Sequence, residues 1–150
     1  MSSAQENLSS KSIESQTAPE PVGPYPHARL EGEFLFLSGM GPRKKGSPKI
    51  PGVELDEAGE VLSYDIEKQT HSVFENLKTV LNDSGASLEE VIDVQVFLTN
   101  MKDDFKKFNR IYAEYFQTNR PTRTTIGISA LPTPIHVELK VIARIPKNPA

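Results

Sequence analysis

Two side chains near the end of the chain have the chemistry of a small-molecule site. Glu138 is a carboxylate that can accept a proton from water. Arg123 carries a guanidinium, whose two parallel donors match the two oxygens of a carboxylate. Tyr25 lies between Pro24 and Pro26, which stiffen its backbone and suit it to lining a pocket. Taken singly, each of the three is better explained as a surface, ion-pairing or packing residue.

Residue types exclude several other kinds of site. The chain has no cysteine, so disulfides, thiolate nucleophiles and Cys-ligated metals are ruled out. His27, His71 and His136 lack the acidic or histidine neighbours of a metal site, so we expect them to be structural. The segment Gly39-Met40-Gly41 is too short for a dinucleotide-binding loop. We therefore expect no metal and no cofactor.

Length and composition indicate one ordinary folded domain. The chain has 150 residues, 37% of them hydrophobic and 25% charged, and a net charge of −3. An acidic balance argues against nucleic acid as a partner. No apolar run approaches the roughly 18 residues of a membrane helix, and the N-terminus lacks the apolar core of a signal peptide. The expectation is a soluble, cytoplasmic protein with no membrane partner.

The first 20 residues differ from the rest. Residues 1–20 are rich in Ser, Gln and Glu and have almost no bulky apolar side chains. Such a segment cannot bury enough surface to offset the entropy of ordering, so we predict a disordered arm. The domain is then expected over residues 21–150.

Hydrophobic periodicity predicts an α+β fold. Asp65 suits the N-cap of a first helix and Gly85 its C-terminal end. A long, loop-like stretch, residues 39–62, contains a short strand at 53–55. The other predicted elements are strands at 34–38, 91–98, 123–129 and 136–144 and a second helix at about 103–117. Two helices on one face of a mixed sheet make a two-layer domain.

Alternation along the last two strands separates apolar from polar faces. Val137, Leu139, Val141 and Ala143 share one face of the final strand, and Ile126 and Ile128 share one face of the strand before it. If the two strands are neighbours, the opposite faces pool Arg123, Thr125, Glu138 and Lys140. An ordinary half-exposed sheet would look the same. However, residues 91–98 offer apolar side chains to both faces, so we expect a second copy of the chain to cover the outer face.

Five segments, in order along the chain, resemble the Rid (YjgF) family of imine and enamine deaminases. The resemblance covers about residues 21–145. The segments are Gly23-Pro24-Tyr25, Ser38-Gly39, Phe108-Asn109-Arg110-Ile111-Tyr112, Pro121-Thr122-Arg123-Thr124-Thr125 and Val137-Glu138-Leu139-Lys140-Val141-Ile142-Ala143.

The resemblance implies a chorismate-mutase-like fold, a homotrimer and a cleft between subunits. It implies that Arg123 anchors the substrate carboxylate and that Glu138 positions a water. Further substrate contacts are implied for five residues: Tyr25, Ser38, Gly39, Asn109 and Thr125. The implied reaction hydrolyses a carboxylate-bearing enamine or imine to a 2-oxo acid and ammonia.

Within the family the chain is similar to 2-aminomuconate deaminase, on Arg123-Thr124-Thr125, on Pro51-Gly52-Val53-Glu54 and on Asn100-Met101-Lys102-Asp103. A substrate with two carboxylates needs a second cation, and the sequence does not choose among Arg29, Arg43, Lys44, Lys45 and Arg144. Two other functions stay open. One is a non-catalytic sensor of small carboxylates, and the other is a ribonuclease or translation inhibitor, for which the basic stretch 43–49 is the only support.

Overall fold

A six-stranded mixed sheet forms one layer of the protein and two helices form the other. The computed structural model describes residues 10–146. The sheet contains β1 (Ser10–Ile13), β2 (Ala28–Glu31), β3 (Phe34–Leu37), β6 (Val91–Leu98), β7 (Thr122–Gly127) and β8 (Val137–Arg144). The helices are α1 (Ile66–Asp83) and α2 (Met101–Tyr115), and β4 (Val53–Leu55) pairs with β5 (Val61–Tyr64) in a separate hairpin. The predicted α+β class is confirmed.

The strand order is β1-β2-β3-β8-β6-β7. β6 and β7 run parallel, joined by α2, and the other neighbours are antiparallel. β6 therefore separates β7 from β8, and the assumption that the last two strands are neighbours is wrong. Alternation within a strand indicates which residues share its face, but it contains no information about the strand beside it.

Local capping sets the ends of both helices. The Asp65 carboxylate accepts hydrogen bonds from the Glu67 and Lys68 N–H groups, at 2.9 and 3.1 Å. Gly85 follows the last turn of α1 with φ +86°, as predicted. α2 begins two residues earlier than predicted because the Asn100 side chain caps the Asp103 N–H. Within residues 10–146, neither helix is both long and apolar enough to cross a membrane.

The core lies between the helices and one face of the sheet. Side chains from the central strands, among them Leu35, Val94 and Leu139, are fully buried against Phe74 and Leu77 of α1. Burial alternates along β8, where the odd-numbered residues from 137 to 143 are buried and the even-numbered ones are not. The predicted apolar face of the final strand is therefore the face beneath the helices.

The N-terminal segment is part of the fold. β1 pairs with β2, and Ser15 and Ala18 are 3% and 1% exposed. The Ser15 hydroxyl donates to Asp83 at 2.6 Å and accepts from the Ala18 N–H at 3.0 Å. The prediction of a disordered arm is thus wrong for residues 10–20, and residues 1–9 lie outside the described chain. Backbone pairing and one buried hydroxyl order the segment, and neither needs bulky apolar side chains.

The predicted loop between β3 and α1 contains the β4–β5 hairpin. The short strand expected at 53–55 is confirmed, and Val61–Tyr64 is its partner. Gly52 has φ +75°, and a Cβ there would lie 2.5 Å from the Asp65 carbonyl oxygen. This glycine therefore lets the hairpin pack closely against the start of α1.

Candidate active site

Glu138 lies on the face of the sheet away from the helices, against the backbone of Gly39. A Cβ on Gly39 would be 2.8 Å from both Cδ and Oε2 of Glu138. Among residues 10–146, no group donates a hydrogen bond to this half-buried carboxylate and no cation pairs with it. Burial raises the pKa of Glu138 above its usual range. The group is therefore a proton acceptor that is free to bind a ligand or a water.

A cleft opens beside Gly39. It is lined by Tyr25, Ser38, Gly39 and Arg43, together with Pro19, Pro21, Pro26, His27, Met40 and Gly41. The Ser38 hydroxyl donates to the Pro26 carbonyl at 2.7 Å, which joins the ends of the segments before β2 and after β3. Tyr25 is 42% exposed.

Gly39 connects the residues that were chosen from the sequence. It lines the cleft with Tyr25 and Ser38, and Glu138 packs against its backbone. The flanking amides are used, since Ser38 N–H donates to the His27 carbonyl and Met40 N–H to the Leu139 carbonyl. The Gly39 N–H donates to no group among residues 10–146.

Arg123 lies elsewhere, on the face beneath the helices. It pairs with Val94 across β6–β7, and paired residues project to the same side of a sheet. Its guanidinium carbon is 4.6 Å from the ring centroid of Tyr112 and 5.9 Å from that of Phe105, both on α2. The rings hold the cation in place by cation–π attraction.

Asn109 and Thr125 belong with this second group. Asn109 follows Phe105 by four residues on α2 and precedes Tyr112 by three, so the three side chains share one side of the helix. Thr125 is two residues beyond Arg123 on β7, on the same face. Asn109 is exposed, and its side chain bonds to no group among residues 10–146.

Tyr112 is a functional candidate that the sequence analysis named only as the last residue of the segment 108–112 and to which it gave no role. Its hydroxyl is buried and has no hydrogen-bond partner within residues 10–146. Burial raises its pKa to about 12. The available signal was its place three residues after Asn109, because a buried tyrosine hydroxyl usually has a hydrogen-bond partner. Here the Tyr112 ring centroid lies 4.6 Å from the guanidinium carbon of Arg123.

Arg123 and Glu138 therefore do not share a face. Glu138 pairs with Phe97 of β6, whereas Arg123 pairs with Val94, and these two residues of β6 project to opposite sides. The prediction that Arg123, Thr125, Glu138 and Lys140 pool on one face is wrong. The reason is that Ile126 faces outward and is 40% exposed. The alternation showed correctly which residues of β7 share a face. The prediction then placed the wrong one of these two faces beneath the helices.

The histidines occupy structural positions. His27 accepts from the Ser15 N–H at 3.0 Å, and its other ring nitrogen is 2.8 Å from the Pro19 carbonyl oxygen. His136 stacks on Tyr64 with ring centroids 3.6 Å apart, and burial lowers its pKa. His71 lies 2.8 Å from the Tyr115 hydroxyl. Over residues 10–146, no three His, Asp or Glu side chains converge in a way that could hold a metal ion.

The fold, with a free carboxylate at a cleft on one sheet face and an arginine stacked on tyrosine at the other, defines a YjgF-like domain. Comparison with known proteins agrees, since residues 15–145 match the family model described as Endoribonuclease L-PSP. The chain belongs to this family, also called Rid.

Relatives match over nearly their whole length. A RutC family protein of Pyrococcus horikoshii is 40% identical over 131 residues, 87% of this chain and 94% of that protein. The crystal structure of a Rid family protein from Yersinia pestis superposes with a TM-score of 0.76 at 33% identity, covering 91% of this chain and 100% of that one. A protein of Dermatophagoides farinae, named 2-iminobutanoate/2-iminopropanoate deaminase, is 33% identical over 89% of this chain and 94% of its own.

Proposed function

We propose that the protein is an imine and enamine deaminase that works as a homotrimer with composite sites between subunits. The observation that carries the proposal is the separation of Arg123 and Glu138 onto opposite faces of one sheet. A single chain cannot direct both side chains at one small substrate. Two copies can, if the Glu138 face of one subunit meets the Arg123 edge of the next.

The outer face of the sheet supports this assembly. It exposes Phe34, Phe36 and Ile126 by 38%, 39% and 40%. Covering such apolar surface with another copy of the chain stabilises both copies. In the assembled site, Arg123 of one subunit would hold the substrate carboxylate, and the reacting carbon would lie at Gly39 of its neighbour, beside the Glu138 carboxylate. Asn109 and Thr125 accompany Arg123.

The reaction needs only water and proton transfer. An enamine first takes a proton at carbon and becomes the iminium ion, which is also the protonated form of the imine. Water then adds to its carbon while Glu138 accepts a proton from that water, which gives the neutral carbinolamine. Glu138 returns the proton to the nitrogen, ammonia leaves, and the hydroxyl loses its proton to solvent to give the 2-oxo acid. A raised pKa makes the Glu138 carboxylate a stronger base than an exposed glutamate, which suits this step. The deaminase among the relatives acts, by its name, on imino acids of this kind.

The test measures ammonia release from 2-iminopropanoate and 2-iminobutanoate formed in situ. We expect the wild-type protein to accelerate release and Glu138→Gln to lower turnover about 10²-fold, since glutamine cannot take the proton. Glu114→Gln, an exposed position on α2, is the matched control and should be unchanged. A small-carboxylate sensor would release no ammonia with either protein. Equal rates in wild type and Glu138→Gln would contradict the role of Glu138.

A further inference from the structure

Arg43 is the cationic residue that lines the cleft. It follows β3 by six residues and shares the cleft with Tyr25, Ser38 and Gly39. The side chain is half-buried, and one Nη2 donor bonds to the Glu20 carbonyl oxygen at 2.8 Å. Its other N–H donors find no partner among residues 10–146, and no carboxylate there pairs with it.

The neighbouring cations differ from Arg43. Lys45 pairs with the Glu20 carboxylate at 3.4 Å, whereas Arg43 bonds to the Glu20 carbonyl oxygen. Lys44 is exposed and does not line the cleft. Arg29 and Arg144 do not line the cleft either, and they pair with Glu31 and Glu33 at 2.7 and 3.0 Å. Of the five candidates for a second cation, Arg43 alone combines a place in the cleft with a charge that no described carboxylate neutralises.

We infer that Arg43 binds a second anionic group on the substrate, so that the preferred substrates are imines or enamines with two carboxylates. The identity of the substrates as imines or enamines rests on the proposed function, whereas the binding of a second anionic group by Arg43 does not. A half-buried guanidinium without a counter-ion favours an anionic ligand, and its free donors can grip both oxygens of a carboxylate. The Glu20 carbonyl holds the side chain toward the cleft, which limits the entropy lost on binding.

The test uses the stable 2-oxo acids that such reactions produce. Calorimetry with the full chain compares 2-oxobutanoate, which has one carboxylate, with 2-oxoglutarate and 2-oxoadipate, which have two. We expect wild type to bind at least one diacid roughly tenfold or more tightly than the monoacid, as a charge-assisted pair would give. Arg43→Met should remove most of this preference, and the neighbouring Lys44→Met, with the same change of charge, should keep it.

Arg43→Lys is the control for a folding defect in Arg43→Met, because lysine keeps the positive charge and a donor for the Glu20 carbonyl. It should retain part of the preference. Equal binding of mono- and diacids by wild type, or an unchanged preference in Arg43→Met, would overturn the inference. Diacid preference without any ammonia release would instead reject the deaminase and retain the role of Arg43. Ammonia release from monocarboxylate imines without diacid preference would reject Arg43 alone.

Discussion

Arg123 and Glu138 lie on β7 and β8, with one strand between them, and project from opposite faces of the sheet. Each has its own surroundings. Arg123 packs on the rings of Phe105 and Tyr112, and Glu138 packs against the backbone of Gly39. Under the proposed function, one chain presents two different halves of a site, one around each residue.

Mixing two inactive variants should restore activity. When Arg123→Ala and Glu138→Gln subunits are unfolded together and refolded, some interfaces will combine an intact arginine with an intact glutamate. If assembly is random, about one site in four is complete in this way. Ammonia release from the mixture should then approach a quarter of the wild-type rate. A mixture no more active than either variant would contradict a composite site.

Arg123→Lys should impair activity nearly as much as Arg123→Ala. Lysine keeps the charge but loses the planar fork and most of the stacking on Tyr112, whose ring is 4.6 Å from the guanidinium. The measurement is kcat/KM for 2-iminobutanoate hydrolysis, with Arg110→Lys on the exposed side of α2 as control. Activity close to wild type in Arg123→Lys would mean that charge alone binds the carboxylate.

The acid limb of the pH profile should report Glu138. Burial disfavours the charged form, so the pKa of this carboxyl is raised and a larger fraction is protonated at any acidic pH. If the carboxylate is the base, kcat/KM falls as the pH drops, and its midpoint lies above the ordinary glutamate value. Glu138→Gln should lack this limb. A midpoint at or below the ordinary value would argue against Glu138 as the titrating group.

Gly39→Ala should displace the Glu138 carboxylate. The added Cβ would lie 2.8 Å from Cδ and Oε2 of Glu138, closer than real contacts allow, so the side chain must move. A misplacement of about 1 Å costs roughly 10²-fold in rate, and we expect kcat to fall by 10- to 100-fold. Gly127→Ala is the control, because its Cβ would meet Met101 at an ordinary 3.7 Å. An unaffected kcat in Gly39→Ala would show that Glu138 need not lie there.

Ser15→Ala should destabilise the fold. The buried hydroxyl of Ser15 bonds to Asp83 at 2.6 Å and to the Ala18 N–H at 3.0 Å, so its loss leaves a buried donor unsatisfied. The expected loss in the free energy of unfolding is about 1–2 kcal/mol in urea titrations. Exposed Ser12→Ala on β1 should change it by less than about 0.5 kcal/mol. Equal stability of the two variants would mean that the N-terminal segment contributes nothing to the fold.

Strong periodicity was sufficient to predict the helices and most strands. The Asp65 cap and Gly85 gave the ends of α1, and the alternation along β8 gave its buried face, because both signals are local. β1 was missed because an edge strand held by backbone hydrogen bonds needs no hydrophobic pattern, and Ser10–Ile13 has almost none.

The site could be predicted as a set of residues but not as an arrangement. Tyr25, Ser38 and Gly39 line one cleft, and Glu138 packs against Gly39. Arg123 lies beside Tyr112. Placing Arg123 required the strand order and the position of α2, both of which depend on contacts distant in sequence. The alternation of apolar residues predicts that Ile126 faces the helices. Instead Arg123 occupies the helix-facing side of β7, because the rings of Phe105 and Tyr112 hold its cation there.

The place of β8 between β3 and β6 affects how the chain can be synthesised. Its pairs include Phe34 with Arg144, which are joined by almost the whole length of the domain. The β1–β2–β3 meander therefore has no partner for its β3 edge until β8 has been made, and the sheet cannot be completed before then. Pairing of this kind, between segments distant in sequence, is a slow step in folding.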